Sequence, residues 1–164
     1  MIVPISKLAD KNVARVAIFD VDGTLMDINH RRKYVESEQK DWKKFFEYME
    51  FDTIRDDVFQ LAHALEADGY VIIVCSGRNE RHRELTEKQL AFGKLKYEAL
   101  MMRADDDYRP DWEVKREMLA RMRNEGLHPK IAVDDRPSVV MMWREHGLTC
   151  YWSSWWVGNL GCQN

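Results

Sequence analysis

Acidic side chains stand at the ends of two apolar runs in this chain, and a polar triplet stands at the end of a third. Asp20 and Asp22 come at the end of the run Val13 to Val21, and Asp134 and Asp135 at the end of Lys130 to Asp134. Ser76, Gly77 and Arg78 follow the run Tyr70 to Cys75. Several carboxylates brought together repel one another unless a cation sits between them. Oxygen-only donors favour a hard ion such as Mg²⁺, which binds through one or two carboxylates and keeps waters for substrate. Taken singly, each motif has a plainer use. Asp-x-Asp can be a solvated turn, Ser76 an N-cap, and Asp134-Asp135 the start of a capped helix. Their joint occurrence at three strand ends marks a site.

Such residues meet only if the elements between them fold the chain back repeatedly. The sequence alternates strand-like and helix-like segments throughout. Helical spacing runs from Asp56 to Ala67, from about Glu80 to Phe92, from Asp111 to Asn124, and from Arg136 or Pro137 to His146. Strand-like runs are Val13 to Val21, Tyr70 to Cys75, Tyr97 to Met102, Lys130 to Asp134 and Leu148 to Trp152. The run Tyr70 to Cys75 is too continuously apolar for a strand with one wet face, which predicts a central parallel strand. The expected fold class is therefore α/β, a central parallel sheet with helices on both faces. In such sheets ligands bind beyond the carboxyl ends of the strands, where the motif residues fall.

Asp20-Val21-Asp22-Gly23-Thr24, Ser76-Gly77-Arg78, Lys115 and Asp134-Asp135 resemble the four motifs of the haloacid dehalogenase (HAD) superfamily, over roughly Val13 to Trp152. That resemblance implies a Rossmann-like HAD fold and a phosphatase. Asp20 would be the nucleophile that becomes an aspartyl-phosphate, and Asp22 the acid and base. Ser76 would donate a hydrogen bond to a phosphoryl oxygen, and Lys115 would neutralise charge. Thr24 would hydrogen-bond near the site. Mg²⁺ would be held by Asp20, the Asp22 backbone carbonyl, Asp134 and Asp135, with Asp135 a direct ligand. A narrower resemblance, carried by Arg31, Arg78, Asp111 and the run Val133 to Arg144, is to the 3′-phosphatases of the bacteriophage polynucleotide kinase-phosphatase type. It implies that Arg31, Gly77, Arg78 and Asp111 serve the substrate side of the site. The expected substrates are phosphorylated nucleic-acid ends, with free nucleotides as the alternative. A phosphate-binding module without turnover is disfavoured by intact Asp20, Asp22, Lys115 and Asp135. A Gly-x-x-x-x-Gly-Lys-Ser/Thr loop is missing from these residues, so kinase activity is not expected of them.

Composition sets the outer bounds. With 164 residues, 45% hydrophobic and 32% charged, the chain suits one folded domain over residues 1–164. A net charge of -3 provides no global basic field for nucleic acid, leaving only a local groove. No apolar run approaches the ~18 residues of a membrane span. Met1 to Asp10 does not look like a signal peptide, and Cys75, Cys150 and Cys162 have no metal-ligand spacing, which suits a cytoplasmic protein. The five histidines likewise suggest no zinc site. Residues 29–53 fall where HAD enzymes insert a cap, and they carry Trp42, Phe45, Phe46, Tyr48 and Phe51. Those rings either stack a base or pack an amphipathic helix on the core. Trp152, Trp155 and Trp156 are read as closing a small core or an interface, with base stacking as the other use. Oligomeric state is not legible.

Overall fold

The computed structural model describes residues 15–36 and 38–153. Within them the chain runs β1 (Val16–Phe19), β2 (Met26–Asp27), α1 (Asn29–Glu36), α2 (Trp42–Glu47), a 3-10 turn (Tyr48–Phe51), β3 (Thr53–Ile54) and α3 (Asp56–Ala67). It continues through β4 (Val71–Asn79), a second 3-10 turn (Glu80–His82), α4 (Arg83–Phe92), β5 (Ala99–Arg103), α5 (Asp111–Asn124), β6 (Ile131–Asp134), α6 (Pro137–Glu145) and β7 (Thr149–Trp152).

Five parallel strands form the main sheet in the order β5-β4-β1-β6-β7. Successive side chains of a strand point to opposite faces, and the cores follow that alternation. Val16, Ile18, Ile73, Cys75, Ala99 and Met101 pack with α5 and α6 on one face. Ala17, Phe19, Ile72, Val74, Leu100 and Met102 pack with α3 and α4 on the other. β1 is buried on both faces, which explains its uninterrupted apolar sequence. Burying such a side chain stabilises the fold by roughly 1.5–3 kcal/mol. Pro137 starts α6, where its missing N–H costs nothing because the first helical N–H groups have no partner in the helix. The fold is the α/β arrangement that the alternating pattern predicts, a parallel sheet with helices on both faces, and it is Rossmann-like as the resemblance implies.

Several boundaries differ from the sequence reading. β1 ends at Phe19, short of Val21, because the chain turns there to build the acidic loop. Ser76, Gly77 and Arg78 lie inside β4 and not in a loop beyond it. Pairing with β5 carries the ladder onward, with a register shift between Ser76 and Asn79. Residues 80–82 form a 3-10 turn ahead of α4. Trp155, Trp156 and Cys162 lie outside the described residues.

The segment 29–53 is a helical flap on a stem. β2 and β3 pair antiparallel, Met26 with Ile54 and Asp27 with Thr53, so the flap leaves and re-enters at one point. Its helices α1 and α2 pack together, and Phe45 inserts into the same core as α3 and α4.

Candidate active site

Two strand ends, the interior of a third strand and one helix start converge. Asp20 follows β1, Asp134 ends β6 with Asp135 just past it, Ser76 lies in β4, and α5 brings in Lys115 from its second turn. Lys115 is fully buried, and its Nζ donates to Asp20 Oδ1 at 2.6 Å and Asp134 Oδ2 at 2.8 Å. The Asp111 carboxylate lies 3.3 Å away, one helical turn before. A buried ammonium is tolerable only when paired this fully. Although burial works to lower the Lys115 pKa, Asp111, Asp134 and Asp20 outweigh it and hold the group charged.

The carboxylates outnumber that single cation. Asp20, Asp134 and Asp135 each present an oxygen within 4.8 Å of the others. Burial pushes the Asp20 carboxyl well up from its ordinary value; Lys115 pulls it down, while Asp134, Asp135 and Asp111 add to the rise. Burial and Asp134 push Asp135 up in the same way, against Arg32 and Arg136. Both oxygens of Asp134 are committed, Oδ2 to Lys115 and to the Trp143 indole at 3.3 Å, Oδ1 to the Arg136 N–H at 3.2 Å. Asp135 differs. Its Oδ2 accepts from Arg32 at 2.7 Å, but its buried Oδ1 has no partner within the protein. A buried carboxylate oxygen so placed, among oxygen donors only, fits a hard divalent cation. Asp20, Asp134 and Asp135 are the residues that would hold it, and the Asp22 side chain is not in that cluster.

Asp22 faces other partners. Its Oδ1 accepts from Arg31 Nη2 at 2.7 Å and Arg78 Nε at 2.8 Å. Burial tends to raise its pKa, yet Arg78 and Arg31 prevail and hold it well below the usual carboxylate range. Behind it lies a buried acid that sequence reasoning missed. Asp52 accepts from Arg31 Nε and Nη2, both at 2.6 Å, and from Arg78 Nη2 at 2.7 Å. Arg78 Nη1 is held in turn by Thr86 at 3.0 Å and Gln89 at 2.6 Å. Two carboxylates thus share two guanidiniums beneath the site.

Two glycines are required by contact. Gly23 has φ +81°, and a Cβ there would lie 2.1 Å from Asp135 Oδ2. A Cβ on Gly77 would lie 2.3 Å from Asp111 Oδ1. Ser76 Oγ accepts the Arg78 N–H at 3.1 Å, which leaves its own proton available to donate.

Other expected residues sit differently. The Thr24 hydroxyl pairs with Ser153 at 3.1 Å and fastens two loops beside the site. Arg31 has no exposed surface and meets the site only through Asp22, with Phe45 4.3 Å from its guanidinium carbon. Arg55, also missed, clamps the acidic loop by donating to the carbonyls of Gly23 at 2.9 Å and Ser153 at 2.6 Å. Arg32 and Asp52 carry no motif signal, since each matters through a partner distant in sequence.

Residues 14–153 match the family described as the polynucleotide kinase PNKP phosphatase domain. The chain belongs to that family. A chain in the structure of a Pnkp1/Rnl/Hen1 complex is 32% identical to this PNKP-type phosphatase domain, with a TM-score of 0.70, over 87% of this domain and 47% of that chain. A chain in the Pnkp1/Rnl/Hen1 RNA repair complex is also 32% identical, with a TM-score of 0.71, over 87% and 43% of the two chains. The PNKP-type domain therefore spans less than half the length of either. A haloacid dehalogenase-like hydrolase from Streptococcus pneumoniae shares the fold, with a TM-score of 0.58 and 12% identity over 85% of this chain and 84% of that one. The PNKP-type domain is accordingly a phosphatase with the HAD fold. Among the described residues no helix is long and apolar enough to cross a membrane.

Proposed function

We propose that this domain removes a 3′-phosphate from the end of a polynucleotide, through a covalent aspartyl-phosphate on Asp20 and with Mg²⁺ as cofactor. One observation carries the substrate class. Asp20 and Asp22 open onto a single recess of about 460 Å³, whose lining includes the half-exposed Arg81 and Arg136 beside Arg103 and Arg109, which are paired with Asp111 and Asp107. A strand end brings a terminal phosphate to the carboxylates and further phosphates towards Arg81 and Arg136, whereas the monoester of a small uncharged alcohol has no second phosphate to place there. The Pnkp1 relative belongs to an RNA repair complex. By analogy we infer the same duty here, clearing blocked ends of broken RNA or DNA.

In this reading Asp20 attacks phosphorus, forming a bond from its carboxylate oxygen while the bond to the sugar oxygen breaks. Asp22 is ionised at rest. As the bond to the sugar oxygen breaks, the basicity developing on that oxygen draws the proton of the phosphate monoanion across through the Asp22 carboxylate. Asp22 then gives this proton to the leaving sugar oxygen. As a carboxylate again, it takes a proton from the water that attacks the aspartyl-phosphate, which frees Asp20 and inorganic phosphate. Lys115 offsets the charge of Asp20 and an incoming phosphoryl oxygen, and Ser76 donates to another. Arg31, Arg78 and Asp52 hold Asp22 in place, and Asp111 orients Lys115. Bound Mg²⁺ supplies charge neutralisation for the nucleophile and the phosphoryl group.

The test is a phosphate-release screen comparing 3′-phosphorylated oligonucleotides with 3′- and 5′-mononucleotides. Preference for the oligonucleotide, with a steep fall in kcat/KM as salt rises, is the expected result. If lengthening the substrate from one nucleotide to several leaves kcat/KM unchanged or lowers it, the domain is a nucleotidase instead.

A further inference from the structure

The recess beside the carboxylates is not uniformly polar. Trp42 and Phe46 of α2 and Tyr108 and Pro110 of the β5–α5 loop line it together with Asp20 and Asp22. Trp42 is 49% exposed and Tyr108 87%, although rings of this size are normally covered. The α2 rings are also held in a fixed order. Phe46 stacks on His82 with centroids 5.2 Å apart and planes 16° apart, and Trp42 stacks on Phe46 at 6.1 Å and 25°. Phe45 meets Trp42 edge-on at 5.8 Å and anchors the group in the core. Rings held this way lose little freedom when a flat partner arrives.

We propose that this aromatic lining is a subsite for the nucleobase of the phosphorylated terminal nucleotide. The proposal rests on the polynucleotide reading above and adds the feature of the substrate that the flap recognises. Three properties select a base as the occupant. The lining shares one cavity with Asp20, so a phosphate at that carboxylate tethers its own nucleotide beside the rings. The wall combines exposed aromatic rings with arginines, which suits a π-face joined to an anion and suits neither a purely apolar ligand nor a bare polyphosphate. The aromatics come from two separate segments, α2 and the β5–α5 loop, which allows contact with a planar group from more than one side. Because every base has a π-face, stacking of this kind tolerates sequence.

The experiment compares two 3′-phosphorylated oligonucleotides identical but for the last position, one carrying a base and the other abasic. Wild-type protein is expected to favour the base by about 10-fold or more in kcat/KM, as stacking on aromatic side chains would give. Trp42→Ala and Tyr108→Ala are each expected to shrink that ratio, and combining variant with abasic end isolates the direct contact. A wild-type ratio near one, or a ratio unchanged in both variants, overturns the subsite while leaving the 3′-phosphatase reading intact. Hydrolysis of neither strand would instead overturn the polynucleotide reading. In that case binding decides the subsite: 2-aminopurine nucleoside 3′-phosphate is added to Asp20→Asn protein and its fluorescence followed. Quenching that Trp42→Ala and Tyr108→Ala relieve supports the subsite, and unaltered fluorescence overturns it. Thermal melting of both variants accompanies each arm, so that a folding defect is not read as lost recognition.

Discussion

Arg78 grips Asp22 twice, with Nε 2.8 Å and Nη2 2.7 Å from the same carboxylate oxygen. The second acid of the Asp-x-Asp pair is thereby kept ionised until substrate arrives, and its position is set by a strand on the far side of the motif.

That grip has an acid limit. Asp22 has a folded pKa below its ordinary 3.8, so its ion pairing stabilises the fold above that value and is lost as pH falls below it. Asp111, lowered against burial by Lys115, Arg136 and Arg103, acts in the same direction. Wild type is expected to melt above Asp22→Asn at pH 6, with the gap closing as pH drops below 3.8 towards the folded pKa. Thermal unfolding of the pair across pH checks this. A gap independent of pH would show that Asp22 is not held as an ion.

The cluster of Asp20, Asp134 and Asp135 has the opposite sign. Asp20 and Asp135 have raised values, so without a cation the folded state binds protons more readily, and stability is lost as pH rises through those values. Mg²⁺ is expected to raise Tm at pH 7, with a smaller increment as these carboxyls become protonated. Asp135→Ala should remove more of that increment than Asp134→Ala, because Oδ1 of Asp135 is the uncommitted oxygen. Scanning calorimetry with Mg²⁺ and with EDTA decides the matter, and identical curves would exclude the site.

Replacing Asp20 by Asn is expected to leave the fold intact and reduce phosphate release below about a tenth of wild type, since an amide is not a nucleophile and background hydrolysis is slower by many decades. Turnover above that level would rule out the covalent route.

Gly77→Ala should lower kcat with little loss of stability. Its methyl would meet Asp111 Oδ1 at 2.3 Å, and the shift this forces would disturb the carboxylate that orients Lys115. Unaltered kinetics would mean that Asp111 relaxes without consequence.

Asp52→Ala leaves Arg31 and Arg78 facing one carboxylate instead of two. Breaking a buried pair on one side typically costs about 3–5 kcal/mol. Chemical denaturation is expected to show a loss of that order, with activity falling alongside it. A loss below about 1 kcal/mol would show that the network is not held dry.

The difference between Asp20 and Asp52 shows what the sequence carried. Asp20, Ser76 and Asp134 sit on or just past strands, and strands announce themselves through apolar runs. The helices α3 and α5 fall at the residues their periodicity marks, because each has one apolar stripe facing a sheet. Asp52 has no such marker. It sits at the end of the aromatic-rich flap, outside any motif, and its partners Arg31 and Arg78 are 21 and 26 residues away. Arg31 is equally deceptive, a charged residue in a very polar helix that is nonetheless fully buried. Hydropathy assigns such groups to solvent, and only the folded pairing reveals otherwise.

The flap is joined to the body by crossed charges, Arg31 with Asp22 and Asp52 with Arg78. Lifting it would part both pairs at once and pull Phe45 from the core. On the polynucleotide reading proposed above, a strand end is fed through the mouth of the recess, whereas an internal phosphodiester would need room on both sides. Released phosphate would then leave by the same doorway and compete with the next end for the threshold.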